Sequence, residues 1–289
     1  MPAVRATLEF LAKSPLYETE KPYLYLPGKD EDIDLDNTRL DNMEYESHAN
    51  ILIRDMRETP DLCLDQCGFE YTTHDFSHQA LESRQNIVEY CSQINDLLAH
   101  RFKAERVVTY EHRLRKNEML SRTEFDVYDP LLVEGPAKGA HNDVTFSSGP
   151  AIINRHLTQE DKSKYLQPGY RFRVFNTWRP LNAVLEDRPL ALCDTRTVAP
   201  SDLVAADRIL PDRIGEVYYL QHSHEQQWYW LEKQRNDELL VFLEYDTQSE
   251  KTARFCPHVS FDLPHAPDQA EKRRSIETRS IVITKLWSA

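Results

Sequence analysis

Glycine is scarce in this chain, with seven glycines among 289 residues. None of the seven lies in a G-x-G-x-x-G or G-x-x-x-x-G-K-[ST] pattern, which excludes the usual glycine-rich loops that hold nucleotide phosphates. Positive charge is also in short supply, because 35 lysines and arginines stand against 48 aspartates and glutamates, a net charge of −13. This balance argues against nucleic acid or an anionic membrane surface as the main partner.

Cysteine is sparse and scattered, with five residues in the chain. Only Cys63 and Cys67 are close in sequence, and no second pair accompanies them as a zinc finger would require. Residues 1–15 contain no apolar run of the signal-peptide type, and no segment reaches the length of a membrane span. We therefore expect reduced thiols, a cytoplasmic location and no membrane association.

One clear helix is predicted over residues 85–102. Its apolar side chains recur at three- and four-residue spacing and mark one buried stripe; they are Ile87, Tyr90, Cys91, Ile94, Leu97 and Leu98. Helices are also expected over 148–165 and 200–208, the second with Ser201 or Asp202 as its N-cap.

Seven short β-type runs, separated by polar breaks, follow the first helix. They cover residues 106–114, 170–178, 216–224, 226–231, 239–245, 254–261 and 275–283. Many short strands with few helices predict a mainly β protein with flanking helices, built as an antiparallel barrel or a double-sheet roll. No linker is evident, so residues 1–289 are expected to form one domain. Within it, residues 1–85 are expected to be a loop-rich elaboration packed on the core, and the acidic run at 29–37 a solvated face.

His141 and Asp143 form an H-x-D pair in 139-GAHNDVTFSSGP-150. Side chains at i and i+2 of a strand point to the same side, so the pair is able to bind one metal ion. Thr145 shares this direction. A simple His–Asp hydrogen bond at a strand end would give the same pattern, so the pair needs a third ligand before it indicates a metal site.

The first candidate for the third ligand is His258, in 254-RFCPHVSFDLP-264. On the strand predicted after it, Arg273 and Arg279 share one parity and are able to point to the same interior. An inward arginine is costly unless an anion meets it, and its planar fork suits the carboxylate of a 2-oxo acid. Pairing of these arginines with Glu277 or with the acidic surface is the competing interpretation.

The second candidate is the pair His222 and His224. An H-x-H pair is typical of cupins, but the glutamate expected four or five residues later is replaced by Trp228 and Tyr229. Two histidines and one carboxylate with open coordination positions are the ligand set of non-haem Fe(II) oxygenases. A zinc- or manganese-dependent hydrolase or isomerase that uses one of the H-x-H histidines is the alternative.

Several sequence blocks in a characteristic order resemble the fungal AsaB-like hydroxylase/desaturase family, which is related to gibberellin desaturase and CmcJ. The resemblance covers about residues 20–285, and several ordered blocks are far more specific than any one of them. The blocks are 66-QCGFE-70, 141-HND-143, 176-NTWRPL-181, 189-PLALCDTR-196, 227-QWYWL-231, 237-DELLVFLEYD-246, 255-FCPHVSF-261 and 273-RRSIETRSIV-282.

This resemblance implies an Fe(II)/2-oxoglutarate-dependent oxygenase on a double-stranded β-helix, or jelly-roll, core. Fe(II), 2-oxoglutarate and O₂ are the implied cofactors. The implied reaction is hydroxylation, desaturation or oxidative cyclisation at an unactivated C–H bond of a small secondary-metabolite intermediate. By position, the resemblance implies His141, Asp143 and His258 as the iron ligands, with Arg273 and Arg279 as the clamp for 2-oxoglutarate.

The chain departs from the family pattern at the start of the last strand. The family usually shows P-R-x-S-I-E there, whereas Lys272 precedes Arg273 in this chain. The departure leaves the clamp open among Arg273, Arg274 and Arg279.

The pocket beyond the metal is less well defined by the sequence. Arg179 has three interpretations, namely contact with the cosubstrate, contact with a substrate carboxylate, or support of Asp194. Tryptophans are core residues by default, although alternate members of a strand are able to face a pocket. The candidates for substrate contact are Thr145, Trp178, Trp228 and Trp230.

A non-catalytic partner subunit of a paired oxygenase is the remaining alternative. The partner expected in every catalytic case is a small natural-product molecule, whose identity the sequence does not specify. The oligomeric state stays open, with a homodimer as one alternative.

Overall fold

Strands dominate the computed structural model, which describes residues 3–28, 34, 37–75, 81–118, 126, 128–248 and 253–286. The strands are β1 (Ala3–Leu11), β2 (Tyr23–Tyr25), β3 (Tyr45–Asp55), β4 (Phe69–Thr73), β5 (Arg106–Lys116), β6 (Val133–Glu134), β7 (His141–Asn142), β8 (Tyr170–Pro180), β9 (Leu190–Cys193), β10 (Leu203–Leu210), β11 (Arg213–Leu220), β12 (Trp228–Trp230), β13 (Glu238–Asp246), β14 (His258–Ser260) and β15 (Arg274–Lys285). The helices are α1 (Leu64–Cys67), α2 (Arg84–Phe102), α3 (Gly149–His156) and α4 (Gln159–Tyr165).

Two sheets make up the body of the protein. The first has nine strands in the order β1-β3-β12-β9-β14-β7-β11-β10-β2, and the second has six in the order β4-β13-β8-β15-β5-β6. Most neighbours are antiparallel, and strands far apart in sequence lie side by side, as in a roll. The mainly β architecture predicted from the sequence is therefore confirmed.

The helix predicted over 85–102 is confirmed as α2. The hydroxyl oxygen of Ser83 accepts a hydrogen bond from the backbone N–H of Asn86, which caps the helix at its start. Its buried stripe packs against one face of the six-stranded sheet, in a cluster that includes Phe175. Each large apolar side chain fully buried in this way contributes about 1.5–3 kcal/mol. None of the helices in the described ranges has both the length and the apolar composition that a membrane span requires.

The expectation of a loop-rich segment over residues 1–85 is wrong for its two longest strands. Strand β1 pairs with β3 from Ala3 opposite Arg54 to Leu11 opposite Tyr45, and both belong to the nine-stranded sheet. The period-two burial along β1 is the signature of a half-buried strand, which the neighbouring loops and charges obscured. The acidic run at 29–37 lies outside the described residues except for Asp34 and Asn37.

The helix expected over 200–208 is also wrong, because residues 203–210 form β10. Pairing with β11 along the whole length of the strand outweighs the helical preference of its alanines. Asp202 caps only a single 3-10 turn, by accepting a hydrogen bond from the backbone N–H of Ala199. The helix expected over 148–165 is divided into α3 and α4, where Thr158 caps α4 by accepting from the backbone N–H of Asp161.

Candidate active site

His141 and His258 occupy directly opposite positions on neighbouring antiparallel strands, β7 and β14. Their ring centroids are 4.5 Å apart. Asp143 follows β7, and its Oδ1 lies 3.9 Å from Nε2 of His141 while its Oδ2 lies 3.9 Å from Nε2 of His258. The ligand atoms of all three side chains lie within 4.8 Å of one another. The structure thus brings together the three residues that the sequence analysis expected to bind one ion.

Backbone carbonyls orient both imidazole rings. Nδ1 of His141 donates to the carbonyl oxygen of Gly139 over 2.9 Å, and Nδ1 of His258 donates to that of Cys256 over 3.2 Å. Because a carbonyl only accepts, each Nδ1 carries the proton, and each Nε2 presents a lone pair towards Asp143. Nε2 of His258 is buried and has no hydrogen-bond partner among the described residues. A metal ion would satisfy this nitrogen.

The electrostatics of the three side chains also suit a cation. Burial, followed by the charge of His258, lowers the pKa of His141 to about 4, and burial lowers the pKa of His258. Burial alone would raise the pKa of Asp143, but the charges of Arg279 and of the two imidazoles hold it well below its usual range. At neutral pH the site therefore consists of two neutral imidazoles and one carboxylate, the donor set of mononuclear non-haem Fe(II) centres.

Asp143 is held in place by three neighbours. Asn176 on β8 donates from Nδ2 to Oδ2 over 2.7 Å, and Arg279 on β15 donates from Nε to the same oxygen over 3.0 Å. Nη2 of Arg279 lies 2.8 Å from Oδ1. The backbone N–H of Asp143 donates to Oε2 of Glu244 over 2.7 Å. These contacts fix the rotation of the carboxylate relative to the two imidazoles.

The remaining donors of Arg279 are also used within the protein. Nη1 donates to Oε2 of Glu111 over 2.6 Å, and Nη2 donates to Oε1 of Glu277 over 3.1 Å. Pairing of Arg279 with Glu277 was the competing interpretation of this arginine, and the structure contains that pair. The Arg279 guanidinium therefore pairs with three carboxylates of the protein.

Arg273 is in the opposite situation. Its side chain is 1% exposed, and its Nε and Nη2 have no hydrogen-bond partner among the described residues. The buried hydroxyl of Ser275 also lacks a partner there. Burial, and next the charge of Arg115, lower the pKa of Arg273 to about 9. Arg274, by contrast, is exposed and its Nη2 lies 3.1 Å from Oε1 of Glu271.

Arg179 faces away from the metal ligands. It lies three residues after Asn176 on β8, so the two side chains point to opposite faces of the sheet. Arg179 donates to the carbonyl oxygens of His74 and Asn236 over 3.2 and 3.1 Å. Its guanidinium also lies over the ring of Tyr90 on α2, with 5.5 Å to the centroid. The interpretation that Arg179 supports Asp194 is wrong, because Asp194 pairs instead with Arg196, two residues further along the chain.

A cavity of about 300 Å³ opens beside the metal ligands, and Asp143 and Arg279 form part of its wall. None of the four side chains proposed from the sequence for substrate contact lines it, as the described residues form it. The three tryptophans are buried in apolar clusters; these are Trp178, Trp228 and Trp230. Thr145 donates from Oγ1 to Oε1 of Glu216 over 2.5 Å.

His222 and His224 do not lie on a strand. Strand β11 ends at Leu220, and the two histidines occupy the loop that follows. The His222 ring stacks on that of His48, with 3.8 Å between centroids. Among the described residues, the metal-competent cluster contains His258 and neither of these two histidines.

Sequence analysis overlooked Asn176, Glu244 and Ser275. Glu244 is a lone acid in the otherwise apolar centre of β13, and burial followed by the charge of Asp143 raises its pKa. Its isolated charge within an apolar strand is the feature of the sequence that could have identified it as a site residue. Ser275 shares the strand parity of Arg273, which was a second sign. No local feature of the sequence could have identified Asn176, because its partner Asp143 lies on a distant part of the chain.

Two curled sheets that hold two neutral histidines and one carboxylate between them define a jelly-roll protein with a mononuclear metal centre of the non-haem iron type. The chain belongs to the family described as an oxidoreductase/YMDC permease-like domain, whose model matches residues 8–283. Its curated relatives include fungal AsaB-like hydroxylase/desaturases, as the sequence analysis expected.

Named relatives and a solved structure agree with this assignment. The hydroxylase/desaturase efuI of Hormonema carpetanum is 29% identical over 257 residues, which cover 83% of this chain and 85% of the relative. The hydroxylase/desaturase asaB of Aspergillus flavus is 32% identical over 155 residues, 45% of this chain and 68% of the relative. The solved iron and alpha-ketoglutarate-dependent endoperoxidase NvfI is 25% identical, with a TM-score of 0.80 and coverage of 99% of both chains. This likeness confirms the predicted double-stranded β-helix.

Proposed function

We propose that this protein is an Fe(II)- and 2-oxoglutarate-dependent oxygenase that oxidises an unactivated C–H bond of a small secondary-metabolite intermediate. The observation that carries the proposal is the meeting of His141, Asp143 and His258, with their ligand atoms within 4.8 Å of one another. The jelly-roll fold and the similarity to an iron and alpha-ketoglutarate-dependent endoperoxidase support it.

In this proposal Nε2 of His141, Nε2 of His258 and the carboxylate of Asp143 hold Fe(II). When bound, Fe(II) supplies the one-electron and O₂ chemistry that protein side chains lack. The protein contributes the donor set. Carbonyl oxygens keep the two imidazoles in one tautomer, and Arg279 keeps Asp143 ionised and correctly rotated. Arg279 is therefore a positioning residue rather than the cosubstrate clamp.

The clamp for 2-oxoglutarate is assigned to Arg273 with Ser275. A buried guanidinium without an acceptor is costly, and a carboxylate that receives two parallel hydrogen bonds would remove that cost. Both side chains lie on the face of β15 that also carries Glu277 and Arg279, between the two sheets. Arg179 and Arg274 are not part of the clamp in this proposal, because the first faces α2 and the second faces solvent.

Substrate contacts are assigned to the wall of the 300 Å³ cavity rather than to Thr145 or the three tryptophans. The apolar side chains of this wall would contact the body of the substrate, and the shape of the wall would decide which C–H bond lies nearest the metal ligands. Hydroxylation, desaturation and oxidative cyclisation differ in how the substrate is held there.

We also propose one domain over residues 1–289 and action in the cytoplasm. Strands β1 and β3 extend the same nine-stranded sheet that carries both metal-binding histidines, which supports a single domain. All five cysteines are free thiols, which suits a reducing compartment. A homodimer remains one alternative for the assembly.

The test is Fe(II) binding measured by anaerobic calorimetry, together with succinate release from 2-oxoglutarate. We expect His258→Ala and Asp143→Ala to lose both, since each variant removes one of the three ligands. His222→Ala is the matched control and should retain both, because His222 lies in a surface loop. Wild-type Fe(II) affinity and turnover in His258→Ala would exclude the proposed centre.

A further inference from the structure

Arg208 is an arginine of the cavity wall that the proposed chemistry leaves unused. It lies on β10 directly opposite Gly215 on β11, and cross-strand partners face the same side of a sheet. A Cβ added at Gly215 would lie 3.7 Å from the carbonyl oxygen of Arg208, in ordinary van der Waals contact, so the absence of a side chain at Gly215 leaves room beside Arg208. The same cavity reaches Asp143, so Arg208 and this proposed metal ligand line one cavity of about 300 Å³.

The guanidinium of Arg208 has no acceptor within the described part of the chain. Its Nε is buried without a hydrogen-bond partner, and no close ion pair joins its side chain to a described carboxylate. The nearby carboxylates that influence it electrostatically are Glu134 and Glu111. The contacts of these two acids therefore show which arginines they pair with.

Glu111 pairs with two other arginines. Its Oε1 accepts from Nη2 of Arg113, and its Oε2 accepts from Nη1 of Arg279 over 2.6 Å. Burial alone would raise the pKa of Glu111, but Arg279 and Arg113 outweigh it and lower the pKa far below its usual range. Glu111 is therefore ionised, and both of its oxygens are matched by arginines other than Arg208.

Glu134 is matched in the same way. Its Oε1 lies 2.8 Å from Nη1 of Arg113, and its Oε2 lies 2.9 Å from Nη1 of Arg115. Arg113, Arg115 and Arg279 thus use all four oxygens of the two acids. Among the described residues Arg208 faces the cavity without a hydrogen-bond partner or a close ion pair, a costly arrangement unless an anion enters.

We infer that the substrate is an organic acid and that Arg208 binds its carboxylate. This inference rests on the proposed oxygenase function and adds the chemical class of its substrate. The planar fork of an arginine binds a carboxylate through two parallel hydrogen bonds. Apolar wall residues, among them Ile152, Leu210 and Val217, would hold the body of the acid, while the shared cavity extends it towards Asp143.

The experiment measures binding of carboxylic acids to protein loaded with Mn(II) and N-oxalylglycine, which replace iron and 2-oxoglutarate without turnover. The probes are twenty aryl and alicyclic acids, 1-naphthoate and cyclohexanecarboxylate among them, each paired with its neutral primary amide. For the wild type we expect acids that fit the cavity to bind at least about tenfold tighter than their amides. Arg208→Met should abolish that preference, and Arg208→Lys should retain part of it.

Arg213→Met is the matched control, because Arg213 lines the same cavity but its Nη1 already lies 3.0 Å from Oδ1 of Asp212. It should keep the preference for acids. Thermal unfolding of each variant checks that the fold is intact. The inference is overturned if no acid binds the wild type better than its amide, or if the preference survives in Arg208→Met.

The same experiment shows whether Arg208 binds the substrate or the cosubstrate. It also distinguishes a failure of this inference from a failure of the proposed oxygenase function. Arg208→Met should leave N-oxalylglycine affinity unchanged; weaker binding of that analogue would make Arg208 a cosubstrate ligand and overturn the inference. Normal Fe(II) binding and succinate release without any preference for acids would reject only the assignment of Arg208. Preference for acids without Fe(II) binding would reject only the oxygenase proposal.

Discussion

Arg279 makes a bidentate contact with the carboxylate of Asp143, with Nε 3.0 Å from Oδ2 and Nη2 2.8 Å from Oδ1. The two residues are 136 positions apart in the sequence and meet in the folded chain. The contact keeps a buried carboxylate charged, since burial without the arginine would favour its protonated form. A charged and rotationally fixed Asp143 is what a divalent cation requires.

Replacement of Arg279 should therefore act on the metal. Arg279→Met leaves Asp143 buried with Asn176 as its remaining side-chain donor among the described residues, so a proton competes better with Fe(II). We expect Fe(II) affinity to fall about 10- to 100-fold, with the KM for 2-oxoglutarate unchanged at saturating iron. Anaerobic calorimetry and succinate assays measure the two quantities. A raised KM at wild-type iron affinity would show instead that Arg279 contacts the cosubstrate.

Replacement of Arg273 should act on the cosubstrate. Arg273→Met removes a buried guanidinium whose Nε and Nη2 have no partner in the described ranges, and we expect the KM for 2-oxoglutarate to rise about 10- to 100-fold. Fe(II) affinity should not change. The neighbouring Arg274→Met is the control and should behave as wild type, because Arg274 is exposed and paired with Glu271. An unaltered KM in Arg273→Met would return the clamp to another residue.

Gly68 ends helix α1 with a left-handed backbone, at φ +94°, and a Cβ there would lie 2.6 Å from the carbonyl oxygen of Phe255. We expect Gly68→Ala to lower the free energy of unfolding by about 2–5 kcal/mol, through backbone strain and overpacking together. Gly169→Ala is the control, because Gly169 has φ +101° and no atom within 4 Å of the added Cβ. In urea unfolding, Gly169→Ala should lower the free energy of unfolding by the backbone strain alone, about 1–2 kcal/mol. Equal losses in both variants would contradict the contact with Phe255.

Glu134 should contribute stability that depends on pH. Burial alone would raise its pKa, but Arg115 and Arg113 outweigh it and lower the pKa to about 2, against about 4.3 in an unfolded chain. The unfolded state therefore binds the proton first, so the contribution is complete above about pH 4.3 and is lost as the pH falls towards 2.

Urea unfolding of Glu134→Gln at pH 7, 5, 4 and 3 tests this dependence. We expect the variant to be about 1–3 kcal/mol less stable than wild type at pH 7, with the difference narrowing below about pH 4.3. Glu118→Gln, which removes an exposed partner of Lys116, should cost under about 0.5 kcal/mol. A difference that stays constant from pH 7 to 3 would rule out the assigned ion pairs as its source.

Local patterns in the sequence predicted the long elements well. Helix α2 and strands β5, β8, β13 and β15 agree with the predicted segments within a few residues, because their apolar periodicity extends over many residues. Shorter runs agreed less. Residues 200–208 carry alanines and a capping acid that favour a helix, yet pairing with β11 makes residues 203–210 a strand. A three-residue strand such as β14 is too short for an alternating apolar pattern to be recognised in the sequence.

By itself, the sequence determined the chemistry that is available: an H-x-D pair, candidate histidines downstream, and arginines of one parity on the last strand. Tertiary structure alone decided which of these meet. His258 rather than His222 joins the pair because β14 lies beside β7 in register, whereas His222 lies beyond the end of its strand. Arg279 pairs with three carboxylates, whereas Arg273 and Arg208 have donors without a partner among the described residues. Burial and pairing arise from contacts between strands that are distant along the chain, and no local pattern of residues encodes such contacts.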